Sequence, residues 1–189
     1  KATRATIIAA YNLYVLSCYL NPQERLGLMP NSSLYIVMMN KTEALAKRVT
    51  YAKFRKLIER IPYFQKEFPF DKSLESEMRF ANSIYVIPSV PNNDNLLGMD
   101  VVSCLIDEIN FYDYVQHSKR ADDGGAYDQG TDVYHGLVTR IKSRFEGISA
   151  NLRGCLSVVS SFKHSEDFTT RRIKEVEQMQ NDGEEVYTY

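Results

Sequence analysis

Apolar residues fall into two kinds of run along this chain, one with the spacing of a helix and one short and unbroken. Ile7, Ala10, Leu13, Tyr14, Ser17 and Cys18 recur at helical spacing between Ala2 and Leu20, and Asn21-Pro22 closes the run. A first helix of about five turns is predicted there. Ser33 to Met39, after Pro30-Asn31, is a β-prone apolar run with the length and continuity of a buried parallel strand. Helical spacing returns in Leu45, Val49, Ala52, Leu57, Ile58 and Ile61, which trace one face from Lys41 to Ile61 until Pro62 stops it.

Further on, Glu77 to Ala81 and Ile84 to Ser89 flank Asn82-Ser83, which predicts a β-hairpin. A polar loop from Pro91 to Gly98 leads into Val101 to Ile106, an apolar strand that ends abruptly in Asp107-Glu108. After an acidic, glycine-bearing loop around Asp122 to Gly130, Val133 to Phe145 has helical spacing with Leu137, Val138 and Ile141 inward. Gly154 opens another apolar strand, Cys155 to Val159, which Ser160-Ser161 terminates; Ser165 is placed to cap a last helix reaching about Gln180. Unbroken apolar strands alternating with helices predict an α/β domain whose mostly parallel sheet is flanked by helices, with the hairpin as a local insertion.

Composition narrows this without changing it. The 189 residues carry 23 Lys and Arg against 24 Asp and Glu, and 44% are hydrophobic. These values predict one globular domain with a sizeable core, and exclude collagen-like, coiled-coil and wholly disordered chains. No run reaches the ~18 apolar residues of a membrane span, and no leader opens the chain, so an intracellular protein is expected. Cys18, Cys104 and Cys155 are odd in number, lack C-x-x-C spacing and read as reduced core thiols. His117, His135 and His164 lack the i, i+4 pairing of a helical metal site. The sequence lacks an initiator Met, and Glu185 to Tyr189 alternate like the start of a strand. We therefore expect an excerpt of a longer protein.

The sharpest chemical signal is the pair Asp107-Glu108, because ligands of open α/β sheets bind where strands end. In phosphoryl-transfer ATPases the first such acid serves Mg2+ and the second polarises the attacking water. The alternative is a strand that leaves the core on two charged residues. A nucleotide site also needs a phosphate cradle, and no G-x-x-x-x-G-K-[ST] occurs in the sequence. That motif belongs immediately before a first helix, where Lys1 stands, so Lys1 is either its surviving lysine or simply the first residue of an excerpt.

At this point the chain resembles the ATPase domain of the large terminase subunit, the motor that packages DNA into tailed-phage capsids. The resemblance rests on Ala10 to Cys18 with Asn21-Pro22, Ile61-Pro62-Tyr63-Phe64, Phe68-Pro69-Phe70-Asp71, Leu105 to Phe111, and Ser143-Arg144-Phe145. It implies an additional-strand P-loop NTPase that hydrolyses ATP with Mg2+. Lys1 would end Walker A, Asp107 would be the Walker B metal residue, Glu108 the catalytic carboxylate and Ser160-Ser161 the coupling motif. Read without the resemblance, Ser160-Ser161 are ordinary turn formers.

The family places Ser or Thr directly after the Walker lysine. Here Ala2 stands in that position, and Thr3 is one residue late. Arg140, Arg144 and Arg153 are the candidates for an arginine finger, each also readable as a structural arginine. The implied partners are double-stranded DNA, a portal protein, a small terminase subunit and further copies in a ring. The implied location is the host cytoplasm, docked on the procapsid, with no membrane. Residues 1–189 would form a partial ATPase domain, its P-loop glycines upstream and a nuclease domain downstream. Alternatives are another P-loop helicase or translocase, or a non-catalytic nucleic-acid-binding or scaffold domain with a degenerate phosphate loop.

Two charged runs remain. Lys41 to Lys66 holds eight basic residues against Glu43 and Glu59 alone, which fits either a transient grip on duplex phosphate or an exposed helix face. Asp122, Asp123, Asp128 and Asp132 surround Gly124-Gly125 without the spacing of a calcium loop, and read as an acidic surface loop.

Overall fold

The computed structural model describes residues 2–115, 127–145 and 154–182. The chain runs through α1 (Ala2–Ser17), α2 (Pro22–Arg25), β1 (Leu34–Met39), α3 (Glu43–Leu45), a π-helical segment (Ala46–Tyr51), α4 (Ala52–Ile58) and α5 (Pro62–Lys66). β2 (Met78–Phe80), β3 (Ile84–Ser89), β4 (Asp100–Asp107), and the short β5 (Tyr114–Val115) and β6 (Tyr127–Asp128) come next. The remaining elements are α6 (Gln129–Phe145), β7 (Cys155–Val159) and α7 (Phe168–Asn181).

The unbroken apolar runs form the sheet. Its order is β2-β3-β1-β4-β7, with β1 parallel to β3 and β4, and β4 parallel to β7. Only β2 is antiparallel, and it forms the expected hairpin with β3. Asn82 and Ser83 turn that hairpin with φ of 58° and 53°, in the left-handed region that such turns require. The second arm of the hairpin is also a full strand of the sheet, in register with β1 from Leu34↔Ile84 to Met39↔Ser89.

Side chains that alternate across the strands fill two cores. On one face Ile36, Met38 and Leu105 pack with Leu13, Leu16, Phe54, Ile58 and Phe64 of the first helices. On the other, Val37, Met39, Cys104 and Ile106 pack with Val133, Leu137 and Phe168 of α6 and α7. This is the helix-covered, mostly parallel sheet that the pattern predicts. Gly154 lets β7 start beneath α6, since a Cβ there would collide with Ile141.

Several local expectations shift. In α1 the buried residues are Ala5, Thr6, Ala9, Ala10, Leu13 and Leu16, whereas Ile7 and Tyr14, predicted inward, are exposed. The small alanines let the helix lie close to β4 and β7, and a helix apolar on most sides does not mark its buried face by period alone. The helix predicted from Lys41 begins at Glu43, after the cap Thr42, and is interrupted by the π turn. Its inward residues are Ala46, Thr50, Tyr51, Phe54 and Ile58, with Leu45 exposed. α7 is capped by Asp167, not Ser165: the Asp167 carboxylate accepts from Thr170 N at 2.8 Å. Cys104 is a core thiol and Cys155 is half-buried, but Cys18 is exposed. Among the described residues no helix is long and apolar enough to cross a membrane.

The fold brings one end of α1 to the carboxyl edge of the sheet. Tyr19 O, just past α1, accepts from Asn82 Nδ2 at the start of β3, so the helix ends at the opposite edge. Midway, Asn12 Nδ2 donates to Ser103 Oγ of β4 at 3.1 Å. From Asn12 back to Thr3 the helix rises ~13 Å, and from Ser103 to Asp107 the strand advances a similar ~13 Å. The first turn of α1 therefore lies level with the acidic end of β4.

Candidate functional site

β4 carries its last residue into the site while still buried. Asp107 is 6% exposed. Its Oδ2 accepts from Thr50 Oγ1 at 3.2 Å and from Asn40 Nδ2 at 3.4 Å, and Asn40 Nδ2 also donates to Thr50 Oγ1 at 3.1 Å. Asn40 directly follows β1, and its Oδ1 accepts from Lys41 N at 2.7 Å, which fixes the amide plane. Burial, then the neighbouring Glu108 charge, hold the Asp107 carboxyl above its ordinary value, against the Thr50 hydrogen bond and the field of Lys53.

Glu108 turns away from its neighbour. Its backbone is left-handed, with φ 58° and ψ 40°, while its N–H donates to Val159 O at 2.7 Å and so extends the β4–β7 ladder by one bond. A non-glycine residue held there costs of order 1–3 kcal/mol and persists only when its surroundings enforce it. Ser160 Oγ and Ser161 N donate to Glu108 Oε2 at 3.3 and 3.0 Å, and Ser161 Oγ donates to Oε1 at 3.3 Å. The pair is thus divided, Asp107 toward the end of β1 and the π turn, Glu108 toward the end of β7.

Behind the serines lies a buried polar hub. Asn110 N donates to Ser160 Oγ at 3.1 Å, and Asn110 Nδ2 donates to Ser161 O and to Asp167 Oδ2, both at 2.9 Å. Asp167 also accepts from Lys163 N and Thr170 N. Burial raises the Asp167 carboxyl, but these backbone donors outweigh it and hold the group well below the usual carboxylate range. Glu108 is therefore linked through Ser160-Ser161 and Asn110 to the first turn of α7.

The structure brings Asp107, Glu108, Ser160 and Ser161 together at one edge, with Ser160 buried and Ser161 exposed. Thr3 lies exposed in the first turn of α1, level with that edge; Lys1 lies outside the described residues. Arg144 pairs with Asp100 at the far end of β4, about 23 Å of strand from Asp107. Arg140 sits on α6, and Arg153, Asp122, Asp123 and the Glu185 to Tyr189 run lie outside the described residues. Asp128 serves as a helix cap, accepting from Gly130 N and Thr131 N, and pairs with Arg171 at 2.7 Å.

Asn40 and Asn110 were missed by sequence reasoning. Each falls within a few residues of a parallel strand's carboxyl end, so the rule that picked out Asp107-Glu108 also reaches them. Thr50 gave no comparable signal, because helical period assigns Val49, not Thr50, to the inward face.

A divalent cation fits this donor set. Among the described residues no group of three or more His, Cys, Asp or Glu side chains assembles. Mg2+, however, is ordinarily held by one or two carboxylates together with substrate phosphates. Asp107 supplies a hard oxygen, nearly buried, beside a second carboxylate, and the side chains that hydrogen-bond it, Asn40 and Thr50, are neutral. That is negative charge left for a cation to compensate.

The family described as "Uncharacterized protein MJ0330, N-terminal P-loop domain" matches residues 1–189. No curated protein matches the chain.

Proposed function

Because the chain belongs to this family of N-terminal P-loop domains, we propose that it is the ATP-hydrolysing core of a motor that moves double-stranded DNA, similar to the packaging ATPase of a terminase large subunit. A P-loop domain binds nucleotide, ordinarily with Mg2+. The observation that carries the proposal is the divided acid pair: two adjacent carboxylates at the carboxyl edge of the sheet, level with the first turn of α1, each held by different partners.

In this reading Asp107 would hold Mg2+ together with the nucleotide phosphates, and the bound ion would supply neutralisation of phosphate charge. Lys1 pairs with phosphate charge at the mouth of α1, and Thr3 offers a hydroxyl on the first turn. Glu108 orients a water in line with the γ-phosphate and accepts its proton on a carboxylate oxygen. In the present geometry that carboxylate is engaged by Ser160 and Ser161. Exchange of the serine bonds for the water couples the site to α7 through Asn110 and Asp167. Ser160 and Ser161 suit the task because hydroxyls both donate and accept.

The packaging role adds portal, small subunit and a ring of copies to the proposal, and it rests on the motif resemblance. A helicase or translocase outside packaging shares the same core. Ala2, where the terminase pattern has a hydroxyl, favours as the second reading a non-catalytic nucleic-acid-binding or scaffold domain with a degenerate phosphate loop.

The experiment is Glu108→Gln in the intact protein. ATP turnover should fall about 10²- to 10⁴-fold, the usual worth of a general base. Nucleotide affinity, read by fluorescence titration, should stay near that of the wild type. Unchanged turnover removes Glu108 from the chemistry.

A further inference from the structure

We infer that Asn40 and Thr50 are positioning residues for Asp107, fixing the carboxylate through which the proposed site takes its metal. The inference rests on the nucleotide reading above and extends it to two residues outside the acid pair and the coupling serines. Asn40, Thr50 and Asp107 are 2%, 3% and 6% exposed, and they close a ring of three hydrogen bonds in which both bonds to the carboxylate fall on Oδ2. Asn40 is itself fixed by Lys41 N, so the ring is anchored to the backbone at the end of β1.

Neither partner carries charge. A buried carboxylate kept only for stability would gain more from a cationic partner or from apolar replacement. Two neutral donors hold it in one orientation and leave its charge in place, which is what the side chains around a metal-binding carboxylate do. The backbone supplies a second, independent argument. Thr50 belongs to the π-helical segment Ala46–Tyr51, set between the α-helical stretches Glu43–Leu45 and Ala52–Ile58. A π turn holds more residues than an α turn and shifts the phase of the helix beyond it, and such turns concentrate at functional sites. Here the inward position falls on the Thr50 hydroxyl, whereas α-helical period assigns it to the methyls of Val49.

The test uses Mn2+ as the metal, with binding followed by electron paramagnetic resonance on the intact protein holding a non-hydrolysable ATP analogue. Thr50→Val keeps the shape of the side chain and removes its hydroxyl. It should weaken Mn2+ about tenfold or more, the usual cost of losing an outer hydrogen bond at a metal site. Analogue binding measured in EDTA should stay within about twofold, and Thr50→Ser should recover most of the Mn2+ affinity. If Thr50→Val fails to fold by circular dichroism, Asn40→Ala carries the same expectation. Unchanged Mn2+ affinity overturns the inference, and so does an equal loss of analogue binding without metal, which marks a merely structural role. Asp107→Asn separates the two levels. If it abolishes Mn2+ binding while Thr50→Val does not, only the positioning role falls; if it leaves Mn2+ binding intact, the metal role of Asp107 falls and the positioning role with it.

Discussion

Glu108 occupies left-handed backbone because three donors from Ser160-Ser161 and one ladder bond to Val159 hold it there. The positions of Asp107 and Glu108 were legible in the sequence: an apolar run that stops on two acids places both at a strand's carboxyl edge. Their division was not, since it depends on a backbone rotation that no residue type at position 108 announces. Asn40 and Thr50 were hidden for a related reason, as their partner lies 67 and 57 residues away along the chain. A second buried residue offers a separate test at this scale. The Tyr112 hydroxyl is buried and makes no hydrogen bond among the described residues; burial, with the nearby Cys104 and Asp107, raises its pKa. Removing an unsatisfied hydroxyl relieves desolvation cost without creating a cavity of note. Tyr112→Phe should leave stability unchanged or raise it by up to about 1 kcal/mol in urea unfolding. A decrease of that size would mean that the hydroxyl has a partner.

Among the elements, strands were the easier to read. β1, β4 and β7 lie in the interior of the sheet or along its edge as short apolar runs, and length with continuity identifies them. Helix faces were harder, since α1 has apolar residues on most sides and the π turn breaks the period that an α-helix would keep. The cap of α7 was misplaced by two residues, because Asp167 wins the position from Ser165 by gathering Lys163 N, His164 N and Thr170 N on one carboxylate. This cap makes a pH prediction. The folded pKa of Asp167 is depressed, so its contribution is fully present above the ordinary carboxylate value of about 3.9 and is lost as pH falls below it. Asp167→Ala should cost about 2 kcal/mol at neutral pH, the upper range for an N-cap. The gap from wild type in thermal or urea unfolding should narrow progressively below about pH 4, where the unfolded chain's Asp167 takes up a proton that the folded carboxylate still refuses. A gap that stays constant from neutral pH down through the carboxylate range would show that shape, not charge, sets the cap.

At the scale of the whole molecule, the parallel sheet was predictable but its order was not, because β3 doubles as hairpin arm and sheet strand and only tertiary packing decides that. The order matters for function: it sets Asn40, Asp107-Glu108 and Ser160-Ser161 side by side at the ends of β1, β4 and β7. It also sets the basic helix α4 one turn from the acid pair, since Thr50 reaches Asp107 while Lys53 lies exposed on the next turn. Three of the eight basic residues between Lys41 and Lys66 are taken up in ion pairs, Lys41 with Asp113, Lys47 with Glu43 and Arg55 with Glu59. Arg48, Lys53, Lys56, Arg60 and Lys66 are exposed without such a partner among the described residues. On the proposed motor reading, a basic face of this kind on a chain with nearly balanced charge would give the weak grip on duplex phosphate that a translocating motor needs and a tight binder does not. The Lys56→Glu, Arg60→Glu pair should then weaken duplex binding equally for unrelated sequences and reduce the slope of log affinity against log salt by about one for each phosphate no longer neutralised. Fluorescence anisotropy at several salt concentrations measures both. An unchanged slope would leave the Lys56–Arg60 face as a solvated surface and exclude it as the proposed DNA contact.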